Sequence, residues 1–149
     1  MGAAFLFYQT NREIDMAASA TLNLRLHSGV PVVDVHGNWE PALTRALSEL
    51  LGRLTDAGHF DIVVNVQRAA LEGILALRSL SCSAQAIRSH CGHLDIVGTV
   101  EQIDVLIFDQ MEKLFRLASS EEGAIGRIKR IPVLSRGVRV TTTMARTSQ

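Results

Sequence analysis

Residues 61–80 read DIVVNVQRAALEGILALRSL, and the way they divide decides the fold. Ile62 to Val66 is apolar, β-branched and short, as a central strand covered on both faces requires. From Gly73 to Ser89, the residues Ile74, Leu77, Leu80, Ser81, Ala84 and Ile87 recur at helical spacing, which predicts a helix over 73–89. Between the two lies a short turn containing Asn65, Gln67, Arg68, Glu72 and Gly73. A strand feeding a helix is the repeating unit of an α/β sheet, and ligands and partners meet such sheets at the junctions beyond the strands' carboxyl ends.

The pattern extends outward from this pair. Upstream, Leu22, Leu24 and Leu26 alternate with Asn23, Arg25 and His27, the two-residue period of a half-buried strand. Ser28-Gly29 then turns the chain into Val30 to Val35, so the first two strands read as an antiparallel hairpin. After Gly37-Asn38, a stripe of Leu43, Ala46, Leu47, Leu50, Leu51 and Leu54 predicts an amphipathic helix, with Pro41 in its first turn and Gly58 after its end. Downstream, 94–97 reads as a strand and 101–114 as a third helix through Val105, Leu106, Phe108 and Met111. Residues 115–117 read as an edge strand, and Ser119-Ser120-Glu121-Glu122 as the capped start of a last helix. The order β-β-α-β-α-β-α-β-α predicts a single α/β domain. Its sheet is mostly parallel, with four to five strands, one antiparallel edge strand and about four helices.

A chain of 149 residues suits one domain with a proper core. Its 15 basic and 15 acidic residues cancel, so no overall field favours nucleic acid or an anionic membrane. The two cysteines, Cys82 and Cys91, follow no secretory signal, which predicts free thiols in a reducing, cytoplasmic setting. The apolar N-terminal patch is too short to span a bilayer. Residues 1–20 are expected to be a flexible arm, 21–131 the packed domain and 132–149 a flexible tail.

This arrangement resembles the STAS domain, the fold of bacterial anti-sigma factor antagonists and of the cytoplasmic parts of sulfate transporters. VPVVDVHGNWEPAL (30–43) is similar to that family's second strand and entry into the first helix. LTDAGHFDIVVNV (54–66) is similar to the helix end, turn and strand that normally read "vvvDls". LDIVGTVEQIDVLIFDQMEKLFRLASSEEGAIGRI (94–128) is similar to the family's fourth strand, third helix, short strand and last helix. The likeness covers about 22–131 and rests mostly on the order of its pieces.

The departure lies in the opening stretch. In family members that act as phosphorylation switches, the strand ends in Asp and a D-S-S-G or D-S-T-G motif begins the second helix, its hydroxyl accepting phosphate from a partner kinase. Here Asn65 takes the Asp position, the loop is shorter, and only Gly73 remains of the motif. No Ser or Thr occurs between Asp61 and Arg78. Glu72 stands near the place of the hydroxyl, and two readings of it remain open. It satisfies the positive end of the helix dipole, or it mimics a phosphorylated state with less charge and fewer acceptor oxygens.

Other candidates carry less. His90-Cys91-Gly92-His93 has ligand-type residues but not paired zinc spacing, and Gly92 suits a helix C-terminus, so no metal and no other cofactor is expected. Cys82 falls beside the second helix's apolar stripe and reads as a small core residue. No G-x-G-x-x-G, P-loop or G-x-S-x-G occurs, and no enzyme is expected. Trp39 is either an interface anchor or a cap on the core.

The resemblance implies a non-enzymatic, protein-binding regulatory domain in bacterial signal transduction and transcription regulation. Its partner would be an anti-sigma factor, a serine kinase of the GHKL type or another signalling component. Without the acceptor hydroxyl, the domain is expected not to be switched at this site. The partner-binding residues are expected to be Asn38, Trp39, Asn65, Arg68, Leu71, Glu72 and Gly73, at the carboxyl end of the sheet and reaching onto the second helix. The alternative is a small-molecule sensor or carrier with a pocket at the same end, where Asn65, Arg68 and Glu72 would orient a polar group. A homodimer is a further expectation, through an edge strand or Phe5-Leu6-Phe7-Tyr8. Neither nucleic acid nor a membrane is expected as a partner.

Overall fold

The computed structural model describes residues 13–17 and 20–129, with side-chain surroundings for 20–129. Strand β4 (Asp61–Ala69) is central. It pairs in parallel with β3 (Val30–Gly37), where Val32 lies opposite Val63, and with β5 (His93–Val97), where Val64 lies opposite Ile96. Ile62, Val63 and Val64 are all fully buried, which explains an unbroken apolar run in place of alternation.

β2 (Ala20–His27) runs antiparallel to β3 through Ser28-Gly29, both in the left-handed region at φ +54° and +82°, as a tight two-residue hairpin turn requires. β6 (Arg116–Ala118) continues the parallel side beyond β5. The sequence reading had this edge strand one residue early. A sixth strand, β1 (Glu13–Ala17), pairs antiparallel with β2, inside the segment read as an arm. Its alternation, Glu13-Ile14-Asp15-Met16, is too short to stand out without its partner strand. The rest of that arm, the tail and Phe5 to Tyr8 lie outside the described residues.

The first helix, α1 (Pro41–Asp56), buries all six residues of its predicted stripe. The predicted second helix is two elements, a 3-10 segment over Ile74–Leu80 and α2 (Ser81–Ser89). Ile74, Leu77 and Leu80 are spaced by three and all buried, and a spacing of three aligns on one line only in a 3-10 turn. The predicted third helix ends early, as α3 (Val100–Phe108). Gln110 then takes φ +63° and leads into a short 3-10 turn, Met111–Lys113. α4 is Glu121–Lys129.

The layers are unequal. One face of the sheet, carrying Leu22, Val33, Val35, Ile62, Val64 and Ile96, packs against α1, the 3-10 segment, α2 and α3. The other face, carrying Val30, Val32, Val63 and Val97, has among the described residues only α4 over it, through Ala124, Ile125 and Ile128. One short helix cannot cover six strands, so the remainder of that face must be polar and self-satisfied.

Candidate functional site

The uncovered part of the α4 face is built by strand register. Asn23 lies opposite Asp34 and Asp34 opposite Asn65, one row of polar side chains across β2, β3 and β4. Nearer the carboxyl end, Thr21 lies opposite His36 and His36 opposite Arg68. Between those rows the register slips, because two steps along β3 match three along β4. This β-bulge leaves Val66 and Ala69 both buried in the core on the α1 side of the sheet while Gln67 and Arg68 are both exposed. The Asn65 side chain holds it by accepting from the Gln67 backbone N–H at 3.0 Å, and Gln67 Nε2 donates to the Ser119 carbonyl at 3.2 Å. Asn65, Gln67 and Arg68, read from the sequence as a turn, are therefore strand residues.

Arg25 organises the floor. Its guanidinium is bidentate to Asp34 (Nε to Oδ2 2.6 Å, Nη2 to Oδ1 3.0 Å) and to Glu121 (Nη1 to Oε2 2.8 Å, Nη2 to Oε1 2.5 Å). Asn65 Nδ2 donates to Glu121 Oε1 at 3.2 Å, and His27 Nδ1 lies 2.5 Å from Oε2. The Arg25 hydrogen bonds, helped by those from His27 and Asn65 against the cost of burial, lower the Glu121 carboxyl to about 2. The same pairing, with Glu121 first and Asp34 second, raises Arg25 above its ordinary range. Charge-assisted, forked bonds of this kind fasten the first turn of α4 to the sheet. Deeper on the same face, fully buried Asp95 accepts from Arg116 (2.9 and 3.2 Å) and pairs with Arg127 at 3.4 Å, tying β5, β6 and α4 together.

Above this floor opens a cavity of about 510 Å³ whose lining includes Asn23, His36, Asn65, Arg68, Ser120 and Glu122. Two of the expected site residues, Asn65 and Arg68, belong to it. The others lie at the sheet's carboxyl end outside it. Trp39 and Leu71 are half-buried against the core. Asn38, Glu72 and Gly73 are exposed. Gly73 sits at φ +83°, and a Cβ there would stand 2.9 Å from the Cβ of Trp39, so only glycine fits this close approach. Trp39 Nε1 is buried without a hydrogen bond among the described residues. Glu72 makes no side-chain hydrogen bond among the described residues, and the element that follows begins as a 3-10 turn without a side-chain cap.

Gln102 anchors the neighbouring loop. Its side chain completes a capping box with Thr99, and its Nε2 donates to the carbonyls of Val66 and Ala69 at 2.8 and 3.0 Å. Beyond this end, α3 presents an unusual surface. Phe108 is 91% exposed, Val100 69% and Ile107 47%, with exposed Glu101 and Asp104 on the same side. Val100 and Ile107 are about two turns apart and share one face. Leu75 of the 3-10 segment, which packs beside α3, is exposed as well.

The sequence reading placed Phe108 in the stripe of the third helix, but the helix ends there and Met111 fills the core instead. Cys82 is exposed, because α2 buries Ala84 and Ile87 and turns Cys82 away. His90 stacks on Phe60 at 4.4 Å and its Nδ1 lies 3.1 Å from the Ala86 carbonyl. Among the described residues no group of three His, Cys, Asp or Glu could hold a metal ion, and no helix is long and apolar enough to cross a membrane.

No protein-family model matches the chain, and no curated protein matches it. Among solved structures, the crystal structure of an anti-sigma factor antagonist from Mycobacterium paratuberculosis superposes with a TM-score of 0.65 at 20% identity. The match covers 77% of this chain and 99% of that one. At that identity the likeness is one of fold, and it is the STAS-like α/β fold that the order of elements predicts.

Proposed function

We propose that this chain is a non-enzymatic, protein-binding regulatory domain of the anti-sigma factor antagonist type, unswitched by phosphorylation at the junction after β4. The observation that carries protein binding is α3, where Val100, Ile107 and Phe108 stand in solvent beside Glu101 and Asp104. A nearly fully exposed Phe next to other exposed aliphatics gains little from solvent, and apolar groups with a polar rim are the usual composition of an interface. The fold likeness supports the regulatory class. The absence of any hydroxyl from Asp61 to Arg78 supports the unswitched reading.

The partner is an anti-sigma factor, a serine kinase or another component of a signalling complex, in a bacterial cytoplasm. It meets the carboxyl end of the sheet, at Asn38, Trp39, Asn65, Arg68, Leu71, Glu72 and Gly73. The apolar side of α3 extends that contact. The test is calorimetric binding to anti-sigma factors and serine kinases encoded beside this chain, with Phe108→Ser and the pair Arg68→Glu, Glu72→Ala as variants. Each variant is expected to weaken binding about tenfold or more without lowering Tm. Binding unchanged in all of them moves the interface elsewhere. Stoichiometric modification by the kinase that abolishes binding overturns the unswitched model.

A further inference from the structure

We infer that the cavity on the α4 face is a binding site for a small zwitterion, an ammonium and a carboxylate carried on one short molecule, as in a free α-amino acid. The inference does not rest on protein binding, although the cavity shares Asn65 and Arg68 with the proposed interface. The volume, about 510 Å³, lies within the range of small-molecule sites, yet almost every lining side chain is polar, so its ligand must be polar too. The lone apolar residue of the lining among the described residues, Val35, is itself fully buried on the opposite side of the sheet and offers the cavity little but backbone.

The charges in this lining fall into two groups. Arg25, Asp34 and Glu121 satisfy one another through forked hydrogen bonds, and the ligand finds them already spent. Arg68 and Glu122 line the same cavity, carry opposite charges, and make no hydrogen bond or ion pair with any described residue or with each other. His36, in register beside Arg68 and likewise unpaired, gives a second donor next to the guanidinium. The bulge in β4 is what turns Arg68 toward this face, since an unbroken strand would send Gln67 and Arg68 to opposite sides.

Ligand chemistry follows from that arrangement. A carboxylate suits the planar fork of Arg68 with His36 beside it. An inorganic phosphate dianion finds one unpaired guanidinium, Arg68, and is repelled by the unpaired carboxylate of Glu122 in the same space. A simple cation is repelled by Arg68 in turn. A molecule with one charge of each sign places its carboxylate at Arg68 and its ammonium at Glu122, and avoids both repulsions.

The test uses the full chain labelled with nitrogen-15. The twenty common free amino acids, sodium acetate, ethylammonium chloride and inorganic phosphate are titrated singly while the backbone signals of His36, Asn65, Arg68 and Glu122 are followed. At least one amino acid is expected to give saturable shifts at all four positions, with acetate, ethylammonium and phosphate each about tenfold weaker or worse. Arg68→Gln and Glu122→Gln, both at exposed positions, are expected to keep Tm and each to weaken binding about tenfold to a hundredfold. Saturable binding by no amino acid, equal binding by acetate alone, or undiminished binding in Arg68→Gln overturns the inference.

Discussion

Replacing Glu121 with Gln should cost stability near neutral pH and cost almost none in acid. The side chain is 12% exposed and receives a forked pair of hydrogen bonds from Arg25, so its carboxyl is held at about 2 against an ordinary 4.5. A folded value below the unfolded one gives stability that is present above 4.5 and lost as pH falls toward 2. That difference is worth roughly 3 kcal/mol near pH 7, about 1 at pH 3 and well under 1 at pH 2, before solvent screening trims each figure. Gln keeps the shape and leaves Arg25 its fork on Asp34, so the variant folds. Urea unfolding followed by circular dichroism at these pH values measures the gap between wild type and variant. Titration of the other carboxylates is common to both proteins and cancels to first order. A gap that stays constant from pH 7 to pH 2, or no gap at pH 7, would refute the idea that this carboxylate fastens α4 to the sheet by its charge.

Gly73→Ala should lower Tm by several degrees, since a left-handed φ costs about 1 kcal/mol in Ala and the new Cβ stands 2.9 Å from Trp39 Cβ; an unchanged Tm in thermal unfolding would mean that the loop relaxes freely. Gln102→Leu should cost roughly 2–4 kcal/mol in urea, because the Val66 and Ala69 carbonyls lose their donor and α3 loses its capping box, while Glu101→Leu next to it stays within about 0.5. Equal losses in the two would remove Gln102 from that role.

The parts of the fold that could be read in the sequence are those whose signal is local. Leu22 and Leu24 alternate with polar residues because one face of β2 is buried, whereas Leu26, which continues their period, is 55% exposed near the hairpin turn. Ile62 to Val64 runs without interruption because both faces of β4 are buried, and the six apolar positions of α1 repeat because that helix lies on a single surface. The errors occur where a second element decides the geometry. Ile74, Leu77 and Leu80 fit an α-helix and a 3-10 turn equally well on paper, and packing selects the tighter one. Phe108 fits the helical stripe, but Gln110 ends that helix and Met111 takes the buried place.

The same distinction explains the site. The missing hydroxyl at the β4 junction is a local fact and could be read at once. The cavity could not, since Arg25 meets Glu121 across 96 residues of sequence and the bulge that exposes Arg68 exists only in the pairing of β3 with β4. Asn23, Arg25 and His27 look like an ordinary solvated strand face until α4 is laid beside them. One helix is too small to cover that face, and this shortfall requires the Arg25 network and leaves the space above it open. The fold can therefore keep its core and its junction while the exposed half of the sheet takes on a separate binding role, because the residues that form the cavity's rim carry almost none of the apolar packing.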